Sequence, residues 1–266
     1  MADPRLEKWA NALVGYSVDV QAGQTVAING GVSAGPLLRE IYRAVLARGA
    51  FPVMLASLDG LNAELLRNGN DEQLSYISPV ERFVREQANV VINVLSDTNT
   101  KRLSAVDPSR QSRFQLARRE LFDAFMQRAS TGEMDWTLTL WPTDAFAQDA
   151  DMDTEEYTEF VLAACKLDQP DPVAAWLALR DDQQRLIDWL DGKQEVHVVG
   201  PDIDLTLSIA GRTWINSDGK RNFPSGEIFT GPVEDSVNGT IRFSFPVVTA
   251  GREMSDIRLR FADGKV

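Results

Sequence analysis

With 266 residues and 44% hydrophobic side chains, the chain is long enough for one large domain or two and too apolar for disorder. Its 27 basic and 39 acidic side chains give a net charge of −12, which repels phosphate backbones and anionic lipid; nucleic acid and membrane are therefore excluded as expected partners, while cations are suited. The single cysteine, Cys165, excludes an intrachain disulfide.

The amino terminus, Met1-Ala2-Asp3-Pro4-Arg5, leads straight into an amphipathic helix. No signal segment precedes it, and no run reaches the roughly 20 apolar residues of a membrane span. The expected location is cytoplasmic. Leu6, Trp9, Ala10, Leu13 and Val14 recur at helical spacing, so residues 3–18 form a helix with Asp3 as N-cap and Pro4 in its first turn. Thr25–Ile28 is a short buried strand, a glycine-rich turn follows, Leu37–Arg48 is a helix stopped by Gly49, and Phe51–Ala56 is the next strand. A strand–helix–strand unit of this kind makes a right-handed parallel crossover. Gly30, Gly31 and Gly35 match neither the dinucleotide fingerprint nor the P-loop, so the turn reads as a small-residue connection rather than a phosphate cradle.

Leu61–Arg67 and Pro79–Gln87 are helical, and Asn89–Leu95 is another buried strand. Asp107-Pro108 caps one long helix over Ser109–Ala129, whose Arg110, Arg113, Arg118 and Arg119 read as a solvated face. Asp135–Leu140 is the fourth strand. Strands alternating with helices imply an α/β fold with an open, mainly parallel sheet flanked by helices on both faces. Two more helices follow, one starting near Asp153 and one started by the string Asp168–Trp176 and running to about Asp191. At Gly192-Lys193 helices give way to strands. The expected organisation is therefore an amino-terminal α/β domain over residues 1–192 and a β-rich, antiparallel opening of a second domain over residues 193–266.

Several residues invite a chemical role and fit a plainer one. The acidic run Asp149, Asp151, Asp153, Glu155 and Glu156 lacks the glycine and closing glutamate of a calcium loop and reads as a solvated helix start. His197, the only histidine, cannot furnish a His-rich zinc site and reads as a structural or surface residue. Cys165 sits on an apolar helix face with Val161 and Leu162, where packing is the expected role. Trp9, Trp136, Trp176 and Trp189 are expected in a core or an interface.

The most informative stretch is Asn222–Gly239, a bend rich in glycine and proline between strand-like runs, carrying Glu227, Glu234 and Asp235. Glu227 between Gly226 and Ile228 suits a cation ligand, because glycine permits close backbone approach and the strand fixes the oxygen. Asp235 and Ser236 are placed to hydrogen-bond the turn and hold Glu227.

The wording Asp204–Ser208, Gly211-Arg212-Thr213-Trp214, Asn222-Phe223-Pro224, Gly226-Glu227-Ile228-Phe229-Thr230 and Pro232 resembles the M29 (thermophilic, AmpS/AmpT-type) metallo-aminopeptidases, as does Asp171-Pro172-Val173-Ala174-Ala175-Trp176. That resemblance implies hydrolysis of amino-terminal residues from peptide substrates, a homodimer, and a centre of two divalent metal ions (Zn, Co, Mn or Mg) with Glu227 as one ligand. In the family the other ligands and a catalytic tyrosine lie downstream. The resemblance therefore implies that this chain stops short of them, opens a catalytic domain without completing it, and is inactive alone. No catalytic residue is assigned. The alternative is a non-catalytic assembly or binding module sharing the fold.

Overall fold

The computed structural model describes residues 3–266. In chain order the helices are α1 (Arg5–Ala12), α2 (Gly35–Ala47), α3 (Leu61–Asn68), α4 (Asp71–Ser75), α5 (Pro79–Glu86), α6 (Pro108–Ala117), α7 (Arg119–Thr131), α8 (Asp144–Asp149), α9 (Thr154–Ala164) and α10 (Pro172–Leu190). The strands are β1 (Thr25–Gly31), β2 (Phe51–Ser57), β3 (Val90–Leu95), β4 (Asp135–Leu140), β5 (Glu195–Gly200), β6 (Ile203–Ser208), β7 (Ile215–Ser217), β8 (Asn222–Phe223), β9 (Glu227–Phe229), β10 (Asn238–Phe243), β11 (Val247–Thr249), β12 (Arg252–Met254) and β13 (Ile257–Phe261). They fall into two compact units, residues 3–176 with 219–225, and residues 177–218 with 226–266. The change expected at Gly192 falls inside the second unit: α10 leaves the first unit after its buried Trp176, and the chain returns to it at Gly219.

The first unit is built on a parallel sheet ordered β2-β1-β3-β4-β8. All four strands expected from the sequence share it and run parallel, as the intervening helices require. β1 and β3 are buried on both faces: Val26, Ala27, Ile28, Val90, Val91 and Ile92 have no exposed surface. β2 is an edge strand and only half-buried, and β4 buries Thr137 and Thr139 rather than an apolar run. On one face α2 packs so closely that a Cβ on Gly30 would lie 2.9 Å from the Leu38 side chain. On the other, Val84 of α5 and Phe125 of α7 join Met134 against Ala27 and Val91. The α1 tryptophan, Trp9, is fully buried, and its indole donates to Thr139 Oγ1 at 3.1 Å.

The single long helix expected over Ser109–Ala129 is two helices, broken at Arg118 (φ −98°, ψ 2°). The break has a tertiary cause. Arg118 donates to Glu81 at 2.7 Å and to the carbonyls of Leu74 at 3.1 Å and Tyr76 at 2.9 Å. Arg110 likewise serves the carbonyls of Leu66 and Gly69, and Arg113 pairs with Asp71, so three of the four arginines tie α3 and α4 down and Arg119 remains on the solvated side.

The fifth strand, β8, was hidden within the bend. Leu138 and Thr139 pair with Asn222 and Phe223, and Phe223 is buried against Trp176 with ring centroids 5.4 Å apart. Gly219 (φ 89°) admits this packing, since a Cβ there would lie 3.2 Å from the Trp176 ring and 3.3 Å from Phe223.

The second unit is antiparallel, as expected, with a sheet ordered β13-β10-β6-β5 and two-stranded pairs β7-β9 and β11-β12. Gly239 (φ 124°) is obligatory where β10 crosses β6, because a Cβ would fall 2.0 Å from the Asp204 carbonyl oxygen. His197 is a surface residue, 2.8 Å from Asp204 Oδ1. Cys165 is fully buried, and burial pushes its thiol far above the usual range, so packing is its role. Trp189, by contrast, is 67% exposed and belongs to no core. No helix among the described residues is long and apolar enough to cross a membrane.

Truncating Phe223 to alanine removes a large side chain from a closed site, and should lower the unfolding free energy by about 3–5 kcal/mol. Urea denaturation followed by tryptophan fluorescence measures this; a loss below about 1 kcal/mol would show that β8 is not part of the core.

Candidate functional site

The candidate site is the segment that follows β8. The chain turns at Gly226 (φ 114°), a conformation open to glycine and costly for other residues. Gly226 N–H donates to the Ser217 carbonyl at 3.0 Å, and β9 then pairs antiparallel with β7, Glu227 opposite Ser217 and Ile228 opposite Asn216. Glu227 therefore opens a hydrogen-bonded strand. Its side chain is exposed and makes no hydrogen bond or ion pair with any described residue.

The backbone beneath it is braced from α10. Gln183 is 5% exposed, and its Nε2 donates to the Glu227 carbonyl at 2.6 Å and to the Ser217 carbonyl at 3.4 Å. One amide thus clamps β7 and β9 together at the position of the candidate ligand. Its Oε1 is buried without a protein partner. Asp235 and Ser236, expected to hold Glu227, do not. Ser236 Oγ donates to the Val233 carbonyl at 2.7 Å and accepts from Ser208 N–H at 2.9 Å, tying the turn to β6 instead. Glu234 pairs with Arg212; its own backbone N–H and that guanidinium hold its carboxyl below the usual range. Sequence reasoning missed Gln183, although a signal was there: seven residues after Trp176, it is a polar side chain on the buried stripe of an amphipathic helix.

A metal centre needs converging donors, three or more for each catalytic ion. Among the described residues no group of three or more His, Cys, Asp or Glu side chains is arranged to hold an ion. The acidic run is used locally: Asp153 caps α9 through Glu156 N–H at 2.9 Å, and Asp149 pairs with Lys101 at 3.9 Å. The donor set present does not amount to a two-ion centre. It amounts to one free carboxylate on a fixed backbone.

Comparison with known proteins places these features in context. A family model described as thermophilic metalloprotease (M29) matches residues 2–266. Aminopeptidase 2 of Geobacillus stearothermophilus is 29% identical over 299 residues, a match covering 99% of this chain and 69% of that protein. Aminopeptidase T of Thermus thermophilus is 24% identical, with 97% and 69% covered. The solved structure of wild-type AmpT from Thermus thermophilus superposes with a TM-score of 0.79 at 23% identity, again over 97% of this chain and 69% of that one, and shares the fold.

Gln183→Met, which keeps the volume and removes the donor, should cost about 1–3 kcal/mol by taking the amide from the Glu227 carbonyl, the Ser217 carbonyl keeping its bond from Gly226 N–H. Amide hydrogen exchange should quicken at Ile228 and Phe229 while the parallel sheet is unchanged. Unaltered exchange in β9 would remove Gln183 from the site.

Proposed function

Because the chain belongs to the thermophilic metalloprotease (M29) family, we propose that it serves an aminopeptidase, removing amino-terminal residues from peptides as a homodimer. In this reading Glu227 is one ligand of a centre of two divalent ions, drawn from Zn, Co, Mn and Mg. The observation that carries it is the state of Glu227: an exposed carboxylate without a partner, at the head of a strand whose backbone is clamped by Gln183. A glutamate kept for the surface would not need that bracing, and a glutamate kept for structure would have a partner. Matched relatives named as aminopeptidases support the reaction class.

The same donor count limits the chain by itself. A lone carboxylate facing water binds a divalent cation weakly, and a second ion about 3.5–4 Å away would need bridging ligands that the described residues do not bring together. No step of the hydrolysis is therefore assigned to residues of this chain.

The test has two arms on aminoacyl-anilide substrates, each with and without chelator. The 266-residue chain supplied with Zn, Co or Mn should show no turnover; chelator-sensitive turnover would show that the site is complete within it. A chimera appending the unmatched segment of the Geobacillus aminopeptidase should turn over, and Glu227→Gln in that chimera should lose roughly 100-fold or more, at or beyond the effect of losing an outer-sphere metal partner. Undiminished activity in the Glu227→Gln chimera would remove Glu227 from the metal centre.

A further inference from the structure

A cavity of about 490 Å³ lies in the first unit, between the sheet and α5, α6 and α7. Its size is within the roughly 300–1,000 Å³ of small-molecule sites. Its floor is a row of register-matched residues on three adjacent strands, Leu55, Asn29 and Asn93. Strands buried on both faces of a parallel sheet are ordinarily apolar throughout. Here the two central ones each place an asparagine in the same row. Asn29 Nδ2 donates to Asn93 Oδ1 at 3.0 Å, which leaves the Asn29 carbonyl oxygen and the Asn93 amide unpartnered among the described residues. The row sits where the strand order reverses, between β1 and β3, the point at which crossovers diverge and open sheets accept ligands. A smaller cavity of about 260 Å³ shares both asparagines and opens at the strand ends beside Gly31, Ser57 and Ser96.

The walls are largely apolar, with Val84, Phe114, Leu121 and Phe122, and carry three charged side chains: Glu81 and Arg118, which pair with each other, and Arg85. Arg85 holds its guanidinium 4.6 Å above the Phe125 ring, and burial depresses its pKa, so the charged form is held at a cost. Its side chain makes no hydrogen bond or ion pair with any described residue. Glu81, one turn earlier, is engaged by Arg118 at 2.7 Å and by Ser78 N–H at 2.9 Å. The neighbouring half-buried arginines are all used: Arg110 on Leu66, Arg118 on Leu74 and Tyr76, Arg128 on Arg85 and Ala88 carbonyls. Arg85 is the exception. A guanidinium carries five donors and no acceptor; those of Arg85 meet no hydrogen-bond acceptor among the described residues, the Glu81 charge offsets part of its desolvation, and an arriving anion would serve the open donors.

We infer that this cavity binds a small carboxylate with an apolar body, the carboxylate on Arg85 and the body among Val84, Phe114, Leu121 and Phe122. Free apolar amino acids and simple apolar acids share this chemistry; the open asparagine carbonyl distinguishes them if it receives an α-ammonium group. The inference is independent of Glu227 and of peptide hydrolysis.

Titration calorimetry on the whole chain at pH 7, without added metal, tests it with 3-phenylpropionate, L-phenylalanine and 3-phenylpropanamide. One of the two carboxylates should bind one per chain with a Kd below about 1 mM, and the amide should bind at least ~10-fold more weakly, as expected for loss of a charge-assisted contact. Preference for phenylalanine would identify the amino acid as the ligand class, and preference for phenylpropionate the simple acid. Arg85→Met should weaken carboxylate binding at least ~10-fold without lowering the unfolding midpoint, since it removes a half-buried charge that has no hydrogen-bond partner. Absence of heat with both carboxylates at about 10 mM, equal binding of acid and amide, or full binding by Arg85→Met would each overturn the inference. The acid–amide comparison uses the unaltered protein and stands whatever the variant does.

Discussion

The packing of Trp176 against Phe223 is the contact on which the first unit depends. Both rings are fully buried and lie 5.4 Å apart. They mark the two places where the chain leaves the first unit and comes back to it. Trp176 is further fixed by its indole N–H, 3.2 Å from the Cys165 carbonyl, and Phe223 by its pairing with Thr139. Large aromatic pairs of this kind contribute more than their area alone. Gly219 belongs to the same arrangement: its carbonyl accepts from Ser17 Oγ at 2.7 Å, and its missing side chain is the space the two rings occupy. The motif around Glu227 thus begins with residues whose task is structural, and only from Gly226 onward does it present chemistry.

That division explains what was legible in the sequence. β1 to β3 could be read because apolar runs bounded by turn residues have few other interpretations, β4 because its tryptophan, threonines and leucines favour a strand, and their parallel sense followed from the helices between them. β8 could not. It is two residues long, its partner strand lies far earlier in the chain, and it sits inside a segment whose glycines and prolines signal a bend. The break at Arg118 was equally hidden, since the helical pattern continues through it and the cause is a set of carbonyls on α4 and beyond. Tertiary partners overrode a local pattern in both cases.

The site divides in the same way. Glu227 was singled out by resemblance, and the geometry adds an exposed, unpaired carboxylate and a clamp at Gln183. Neither Asp235 nor Ser236 supplies that clamp, because Ser236 is committed to β6. Arg85 and the two asparagines gave little signal. Arg85 stands among Arg82 and Glu86 like any helix-surface charge, and Asn29 reads as the first residue of a glycine turn until β1 is seen to run on to Gly31. Only burial separates an arginine that faces water from one that faces a cavity.

The return of the chain at Gly219 also orders events during synthesis. Chains emerge amino end first, and domains begin to form as they emerge. β1 to β4 and Trp176 are therefore available before Phe223 exists, with all of residues 177–218 still to be made. Through that interval β4 is the open edge of the sheet, and Trp176 has one face without its neighbour. Completing the first unit requires closing a long loop, whose entropic cost grows only slowly with length. A nascent chain stalled within that loop would expose an unpaired strand and a bare indole, the features by which chaperones and aggregation nuclei alike recognise unfinished protein.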